Sequence, residues 1–539
     1  MTGTRHTARI RAALPLAACL SVVAVLYGTN LGGYPEFGND DEGTYYAQAW
    51  AVITEGRLAH YTYWYDHPPL GWIQLAALLR PAQWLFGGQP ALVGGRAVLG
   101  MVMVVSAALL YRVARNLGMP RTGASAVIGI WCLSPLVVCY GRQILLDNIA
   151  LMWLLASLAT ATGSPRWRRP VLSGVCFGVA ILSKETAALA GLGILVALLT
   201  SGEGRPRSSC AGRWLAAAGL VVGGWLVCVV IADDVLPLLG AIEWQLYGRG
   251  GSGSVLDPGS TARRIVASWW SLDPYLLSLG VIAAPLGLAW RTTRGVALIP
   301  VVLALAGLRP GGYLPAMHVI TMLPFLTLLI GYAVWQGWRA ATRLPGRRSA
   351  GARVAVVVLA ATAVLAAAPS WAVGARTALT VDANAPYRQA LSFVATSLPR
   401  DTVVLTDDDT WNDLVRLGWS GNGWDGAVWH YKLDRDPEAV SELPNGWRDV
   451  DYLLAGRAME SLLGTPAISW EQAPEVVSAW RNSSVVASWG PPDSPVVLRR
   501  VDPAGSLGCR RRDCPAREPA WATGETGRHR PGRTGCSPG

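Results

Sequence analysis

The sequence predicts a mainly α, polytopic membrane protein of about eleven transmembrane helices, followed by a small α/β domain. Three observations predict it. Of 539 residues, 52% are hydrophobic and only 15% are charged, too apolar a balance for a soluble chain of this length. Apolar stretches of bilayer-crossing length, roughly 17 to 25 residues, recur through position 370. The basic residues behind the formal net charge of +11 collect in every second connection between those stretches, and not along one soluble face, which argues against a nucleic-acid partner.

Taken in order, the spans read as 10–29, 91–111, 122–140, 146–162, 170–183, 186–200, 214–232, 269–290, 295–308, 313–335 and 354–370, several of them short. Arg5, Arg9 and Arg11 precede the first. Arg112, Arg115 and Arg121 separate the second from the third, and Arg166, Arg168 and Arg169 the fourth from the fifth. Arg205, Arg207 and Arg213, then Arg291 and Arg294, then Arg339, Arg343, Arg347, Arg348 and Arg353 continue the alternation. The positive-inside rule therefore expects a cytoplasmic amino terminus in a cell membrane and an extracytoplasmic carboxyl-terminal region. Residues 69–87 are apolar but interrupted by Arg80 and Pro81. A crossing there would invert every later basic loop, so they read as a juxtamembrane or re-entrant helix on the outer face.

The expected domains are a membrane domain at 1–370 with its first outer loop at 30–90, a soluble module at 371–502, and a disordered Gly-, Pro- and Arg-rich tail at 503–539. Strand-like runs fall at 402–406, 484–488 and 496–501, and a helix at 386–397. The long connection 233–268, which opens on Asp233-Asp234 and contains Gly248 to Gly253, reads either as a flexible outer lid or as a passive connector. Nine cysteines are scattered without zinc or disulfide spacing. Leu16-Ala17-Ala18-Cys19 has the look of a lipoprotein cleavage site, but the chain stays apolar after the cysteine, so the first span reads as a retained anchor.

Polar residues flanking separate spans fall on one side of this topology. Asp40, Asp41, Glu42, Asp66 and His67 lie in the first outer loop, among Tyr45, Tyr46, Trp50, Tyr61, Tyr63, Trp64 and Tyr65, rings suited to an interface and to stacking on sugars. Arg142 and Asp147 lie between spans three and four, Lys184 and Glu185 between five and six, and His318 near the start of span ten. Each pair is either a structural ion pair or part of a pocket, and His318 is either a packed polar residue or a ligand. Cations fixed near an acidic centre suit a reaction in which a phosphate leaves and a hydroxyl attacks, with the acid taking the proton.

Four stretches carry a family resemblance: Asp41-Glu42-Gly43-Thr44-Tyr45-Tyr46, Tyr65-Asp66-His67-Pro68-Pro69-Leu70, Arg142 through Asn148, and Ser183-Lys184-Glu185-Thr186. The chain resembles a GT-C superfamily glycosyltransferase of the protein O-mannosyltransferase and aminoarabinose-transferase type, glycosyltransferase family 39. The resemblance implies a polyprenyl-phosphate sugar donor used outside the cytoplasm, inversion at the anomeric carbon, and a protein, lipid or cell-wall glycan acceptor. It implies Asp41 as general base with Glu42 shaping or assisting the centre, and Arg142 and Lys184 on the donor phosphate. Asp40 adds a third carboxylate, which leaves open whether it or Asp41 is the base. Asp66 matches a family glutamate that contacts metal or substrate, and His67 replaces the family's lysine, which argues against aminoarabinose transfer to lipid A. No cofactor is certain; a divalent metal at Asp41, Asp66 or His318 stays open.

Rival readings are a transferase using a polyprenyl-diphosphate glycan, a transporter or flippase, and a noncatalytic sensor. A transporter should carry ionisable groups at mid-membrane depth and internal repeats, whereas these acids flank one surface. A sensor leaves the clustered polar loops unexplained. In the outer module Trp411, Trp419, Trp424 and Trp429 read as core or as sugar-stacking surfaces, and Asp407-Asp408-Asp409 as a solvated turn or a metal site.

Overall fold

The computed structural model describes residues 2–58, 67–163, 168–201, 206–421, 425–456, 459, 463, 473–493 and 495–502. The expectations for Asp66, for the rings at 61–65, for Trp424 and for the tail 503–539 lie outside these residues, as does the side chain of Asp40. The chain divides into two units, Met1–Arg388 and Gln389–Gly539.

The first unit is helical: α1 (Thr2–Gly28), α2 (Asp40–Thr54), α3 (Leu70–Phe86), α4 (Ala91–Asn116), α5 (Arg121–Leu133), α6 (Pro135–Gly141), α7 (Leu146–Ala161) and α8 (Arg169–Ser183). A 3-10 turn at Glu185–Ala190 leads into α9 (Gly191–Thr200), α10 (Arg207–Ile231), α11 (Val235–Glu243), α12 (Thr261–Leu272), α13 (Pro274–Ala289) and α14 (Arg294–Gly307). A second 3-10 turn at Ala316–Thr321 precedes α15 (Leu323–Thr342) and α16 (Gly346–Thr380).

The expected apolar stretches fall on these helices, whole or in pieces, but the span count differs. Among the described residues four helices are long and apolar enough to cross a membrane, or up to six if each of two bent pairs counts once, against the eleven expected. The reason is local. Pro135 bends α5 from α6 by 68°, and Asp273-Pro274 turns α12 from α13 by 107°, because proline has no N–H for the preceding turn and favours a fresh helix start. Other apolar helices, such as α7, α8 and α14, stop short of 18 residues.

Missing side chains allow close approach where helices cross. Gly193 of α9 and Gly295 of α14 face each other, and a Cβ on either would lie 2.5 Å from the other's carbonyl oxygen, the use of small residues expected where backbones touch inside a bilayer. Helix α3 buries Trp72, Leu75, Ala76, Leu79 and Ala82, a helical stripe, against α2 and α4.

Two expectations shift. The connection 233–268 is not a free loop: it forms α11, a π-helical turn at Trp244–Gly248 and the start of α12. Ser252 anchors it, donating its N–H to Gly312 (2.9 Å) and accepting at Oγ from Leu314 N–H (2.9 Å), while Arg249 stacks 3.7 Å over Tyr313. The first unit also runs past residue 370. Asn384 accepts from Phe37 N–H (2.8 Å) and donates to the carbonyls of Gly32 (3.1 Å) and Pro35 (3.0 Å), while Tyr387 meets Phe37 edge-on.

The second unit holds a five-stranded mixed sheet of β1 (Val404–Thr406), β2 (Ala427–Trp429), β3 (Tyr452–Ala455), β4 (Ser483–Trp489) and β5 (Val496–Val501), ordered β2-β1-β3-β5-β4. β1 pairs parallel to β2 and β3; β5 pairs antiparallel to β3 and β4. The parallel strands are short and almost wholly buried, as parallel strands are. The edge strand β4 is mostly exposed and carries a register shift between Val485 and Ala487, a device that discourages edge pairing. Helices α17 (Ala385–Ser397), which bridges from the first unit, α18 (Asp408–Arg416), α19 (His430–Arg435), α20 (Pro437–Glu442) and α21 (Pro474–Arg481) complete it.

The aspartate run is no solvated turn. Asp407, Asp408 and Asp409 are all buried, and Asp407 caps α18, accepting from Thr410 N–H (3.1 Å), Thr410 Oγ1 (2.5 Å) and Gly456 N–H (3.1 Å). Trp411, Trp419 and Trp429 are buried, and the Trp411 indole donates to Ala427 (3.0 Å), so these rings serve as core.

Candidate active site

The turn at Ser183-Lys184-Glu185 breaks what would otherwise be one helix. Lys184 is extended (φ −158°, ψ 121°) between α8 and the 3-10 turn, which aims its side chain away from both. Helix α3 braces the break: Gln74 Nε2 donates to Ser183 Oγ (2.9 Å), its Oε1 accepts from Trp153 (2.6 Å), and Gly71 has no Cβ because one would sit 2.8 Å from the Ser183 carbonyl.

Around Lys184 four further side chains converge. Its Nζ lies 2.7 Å from His67 Nε2 and 3.1 Å from Tyr45 Oη, and 3.9 Å from Asp147 Oδ2. His67 Nδ1 lies 3.0 Å from Glu185 Oε2, and its Nε2 is 3.1 Å from Tyr45 Oη. A carboxylate only accepts, so Nδ1–H donates to Glu185 and leaves Nε2 to accept from the lysine ammonium. Tyr45, His67, Lys184 and Asp147 are buried, and Glu185 opens to solvent. Asp147 stands in the first turn of α7, where the helix N-terminus favours a carboxylate, and its Oδ2 makes no hydrogen bond among the described residues. Asp41, half-buried in the first turn of α2, is within electrostatic reach of Asp147, as are Lys184, His67 and Glu185. The helix start that carries Asp41 is fixed by Asn39, whose side chain accepts from Asp41 N–H (3.3 Å).

Two expected members stand behind this cluster. Glu42 is fully buried in a two-bond pair with Arg96, Nε to Oε1 and Nη2 to Oε2 both at 2.7 Å, and also accepts from Ile144 N–H (3.0 Å). Arg142 is fully buried too, and its guanidinium donates to the carbonyls of Tyr34 (3.1 Å), Thr29 (2.7 Å), Asn30 (2.9 Å) and Leu26. It caps the carboxyl end of α1, where helix carbonyls lack partners. His318 places Nε2 2.9 Å from the Leu303 carbonyl, packed against Gly307. Among the described residues no three His, Cys, Asp or Glu side chains converge in a way that would hold a metal ion.

Sequence reasoning missed Arg96. Its signal is an arginine near the start of a 26-residue helix whose other two arginines, Arg112 and Arg115, fall in its last turns, so that Arg96 stands among apolar residues, a position that demands a partner. Tyr45 reads in the sequence as a ring for the interface or for sugar stacking, and the structure places its hydroxyl 3.1 Å from Lys184 Nζ.

Residues 66–231 match the family model described as dolichyl-phosphate-mannose-protein mannosyltransferase. The fold is similar to that of ArnT from Cupriavidus metallidurans in the apo state, at 18% identity, TM-score 0.55, over 92% of this chain and 98% of that one. A second structure of that ArnT, bound to undecaprenyl phosphate, matches at 17% identity and TM-score 0.54, over 91% and 98%. An oligosaccharyltransferase from Archaeoglobus fulgidus, tethered to an acceptor peptide, matches at 12% identity and TM-score 0.52, over 92% of this chain and 74% of that one. No curated protein matches by sequence. The fold is thus similar to that of ArnT and of the archaeal oligosaccharyltransferase, and residues 66–231 are similar to the mannosyltransferase family.

Proposed function

We propose that this protein transfers a sugar from a polyprenyl-phosphate donor to an acceptor hydroxyl on the extracytoplasmic side of the cell membrane, with inversion. The observation that carries this reading is the convergence of Lys184, His67 and Tyr45 with the carboxylate of Asp147, and Asp41 in the first turn of α2 is the carboxylate assigned as base. The acceptor oxygen attacks the anomeric carbon as the bond from that carbon to the phosphate oxygen breaks. The bonding pair leaves on the phosphate, and Asp41 takes the acceptor proton. Lys184, steadied by His67 and Tyr45, faces the charge that grows on the leaving phosphate, where a fixed cation in a dry site acts most strongly. Glu42 and Arg142 are positioning residues in this scheme: one holds α2 through Arg96, the other holds the end of α1 and so the connection that leads to Asp41.

The ArnT structure with undecaprenyl phosphate supports a lipid-phosphate donor. Acceptors of this class are a protein, a lipid or a cell-wall glycan. The reading is tested by incubating the purified protein in lipid with a panel of polyprenyl-phosphate and polyprenyl-diphosphate sugars and crude cell-envelope acceptor, and measuring the polyprenyl phosphate or polyprenyl diphosphate released. Release from a monophosphate donor is expected. Release only from diphosphate donors, or none from any, would overturn it.

A further inference from the structure

An apolar groove of about 620 Å³ runs between α5, α13, α15 and α16. Along α16 its lining extends from Val356 to Trp371, roughly 22 Å at the helical rise of 1.5 Å per residue, a large part of a hydrocarbon core about 30 Å thick. No charged side chain lines it, and the groove carries aromatic rings, Trp338 and Trp335 on α15, Tyr275 on α13 and Trp371 on α16. Aromatic belts at both membrane interfaces have this character.

One end of the groove is strongly basic. Arg121 lies between the lining residues Pro120 and Thr122, Arg339 follows Trp338, and Arg353 stands one turn before Val356. All three are exposed. Arg339 leans over the Trp335 ring at 5.7 Å, and Arg353 donates to the Ser349 carbonyl at 3.3 Å. No carboxylate pairs with any of them among the described residues. This is the end of the helices remote from Lys184. Helix α5 starts at Arg121 and runs toward α6 and Arg142, and α16 starts at Gly346 and runs toward Ala378, whose carbonyl accepts from Asn30 (3.1 Å).

We infer that this groove is a binding site for an anionic phospholipid of the bilayer, its acyl chains along α16 and its headgroup phosphate on Arg121, Arg339 and Arg353. Basic clusters between membrane helices bind anionic headgroups in this way, and the apolar walls give the chains a fixed seat. The site is separate from the proposed donor site, because none of Asp41, His67, Asp147 or Lys184 lines the groove.

The test is native mass spectrometry of the delipidated full-length protein titrated with dioleoyl-phosphatidylglycerol and dioleoyl-phosphatidylcholine, which share their chains. The wild type should bind phosphatidylglycerol roughly tenfold more tightly or better, the scale expected of several arginines facing one anionic headgroup. The triple variant Arg121→Gln, Arg339→Gln, Arg353→Gln should bind both lipids alike, and Ala360→Trp, which fills the groove, should lose the bound phosphatidylglycerol. Equal affinities in the wild type, or unchanged preference in the triple variant, would refute the site. So would retention of the lipid by Ala360→Trp, or preferential occupation by undecaprenyl phosphate, which would assign the groove to the donor. Should Ala360→Trp fail to insert, the triple variant decides alone.

Discussion

The pair of Glu42 and Arg96 gives the sharpest test of how the first loop is held. Both side chains are fully buried and joined by two bonds of 2.7 Å, and Arg96 also donates to the carbonyls of Leu31 (3.0 Å) and Pro35 (2.7 Å). Arg96→Met strands a buried carboxylate, which costs about 3–5 kcal/mol, and leaves the Leu31 carbonyl short of a donor, at about 1–3 kcal/mol if it stays dry, while the Pro35 carbonyl keeps the Asn384 amide. Glu42→Gln keeps the shape and leaves Arg96 its two carbonyls, so it should cost less. In the double variant the stranded carboxylate is gone. A double-mutant cycle, read by SDS-induced unfolding of the purified chain in mixed micelles, should therefore give a coupling of at least about 2 kcal/mol. Additivity within about 0.5 kcal/mol would refute the pairing and the structural role drawn from it.

Further expectations follow from packing and capping. Gly295→Ala forces a methyl against α9 at the Gly193 carbonyl and should destabilise the membrane unit by about 1–3 kcal/mol, seen as a lowered midpoint in the same unfolding assay, while Gly219→Ala, which meets nothing within 4 Å, should leave it in place. Asp407→Ala removes the cap of α18 and the acceptor for Gly456 N–H, and should cost about 1–3 kcal/mol, measured as faster limited proteolysis of the second unit in the full chain. His67→Ala withdraws the acceptor 2.7 Å from Lys184 and should both raise the KM for donor and lower kcat; wild-type values of both would contradict a role in steadying the lysine.

The helices were legible because hydropathy sums over long windows: the expected stretches land on α1, α4, α7, α8, α10 and the rest. Their breaks were legible only in part. Pro135 and Pro274 mark two bends in the sequence, but whether a bent pair crosses once depends on angles that no local signal sets. In the second unit the strands near 404, 484 and 496 were visible as β-branched runs, whereas β2 and β3, three and four residues long and paired in parallel, carry no alternation to detect. At the site, Asp41, His67, Asp147 and Lys184 could be collected by topology, since charged residues at helix ends on one side must share a surface. What charge pattern could not give was who pairs with whom. Arg142 and Lys184 look alike in sequence, and only the geometry separates a cation tied to helix carbonyls from one facing carboxylates and a histidine.

In the proposed reaction Lys184 holds the donor phosphate and Asp41 takes the acceptor proton. The most direct test measures undecaprenyl-phosphate binding and sugar transfer on the same preparations of wild type, Asp41→Asn and Lys184→Met. Asp41→Asn should bind the lipid phosphate like wild type yet lose nearly all transfer, by roughly 100-fold or more, whereas Lys184→Met should lose affinity for the lipid phosphate. Transfer at the wild-type rate by Asp41→Asn, or unchanged lipid-phosphate affinity in Lys184→Met, would contradict the proposed reaction.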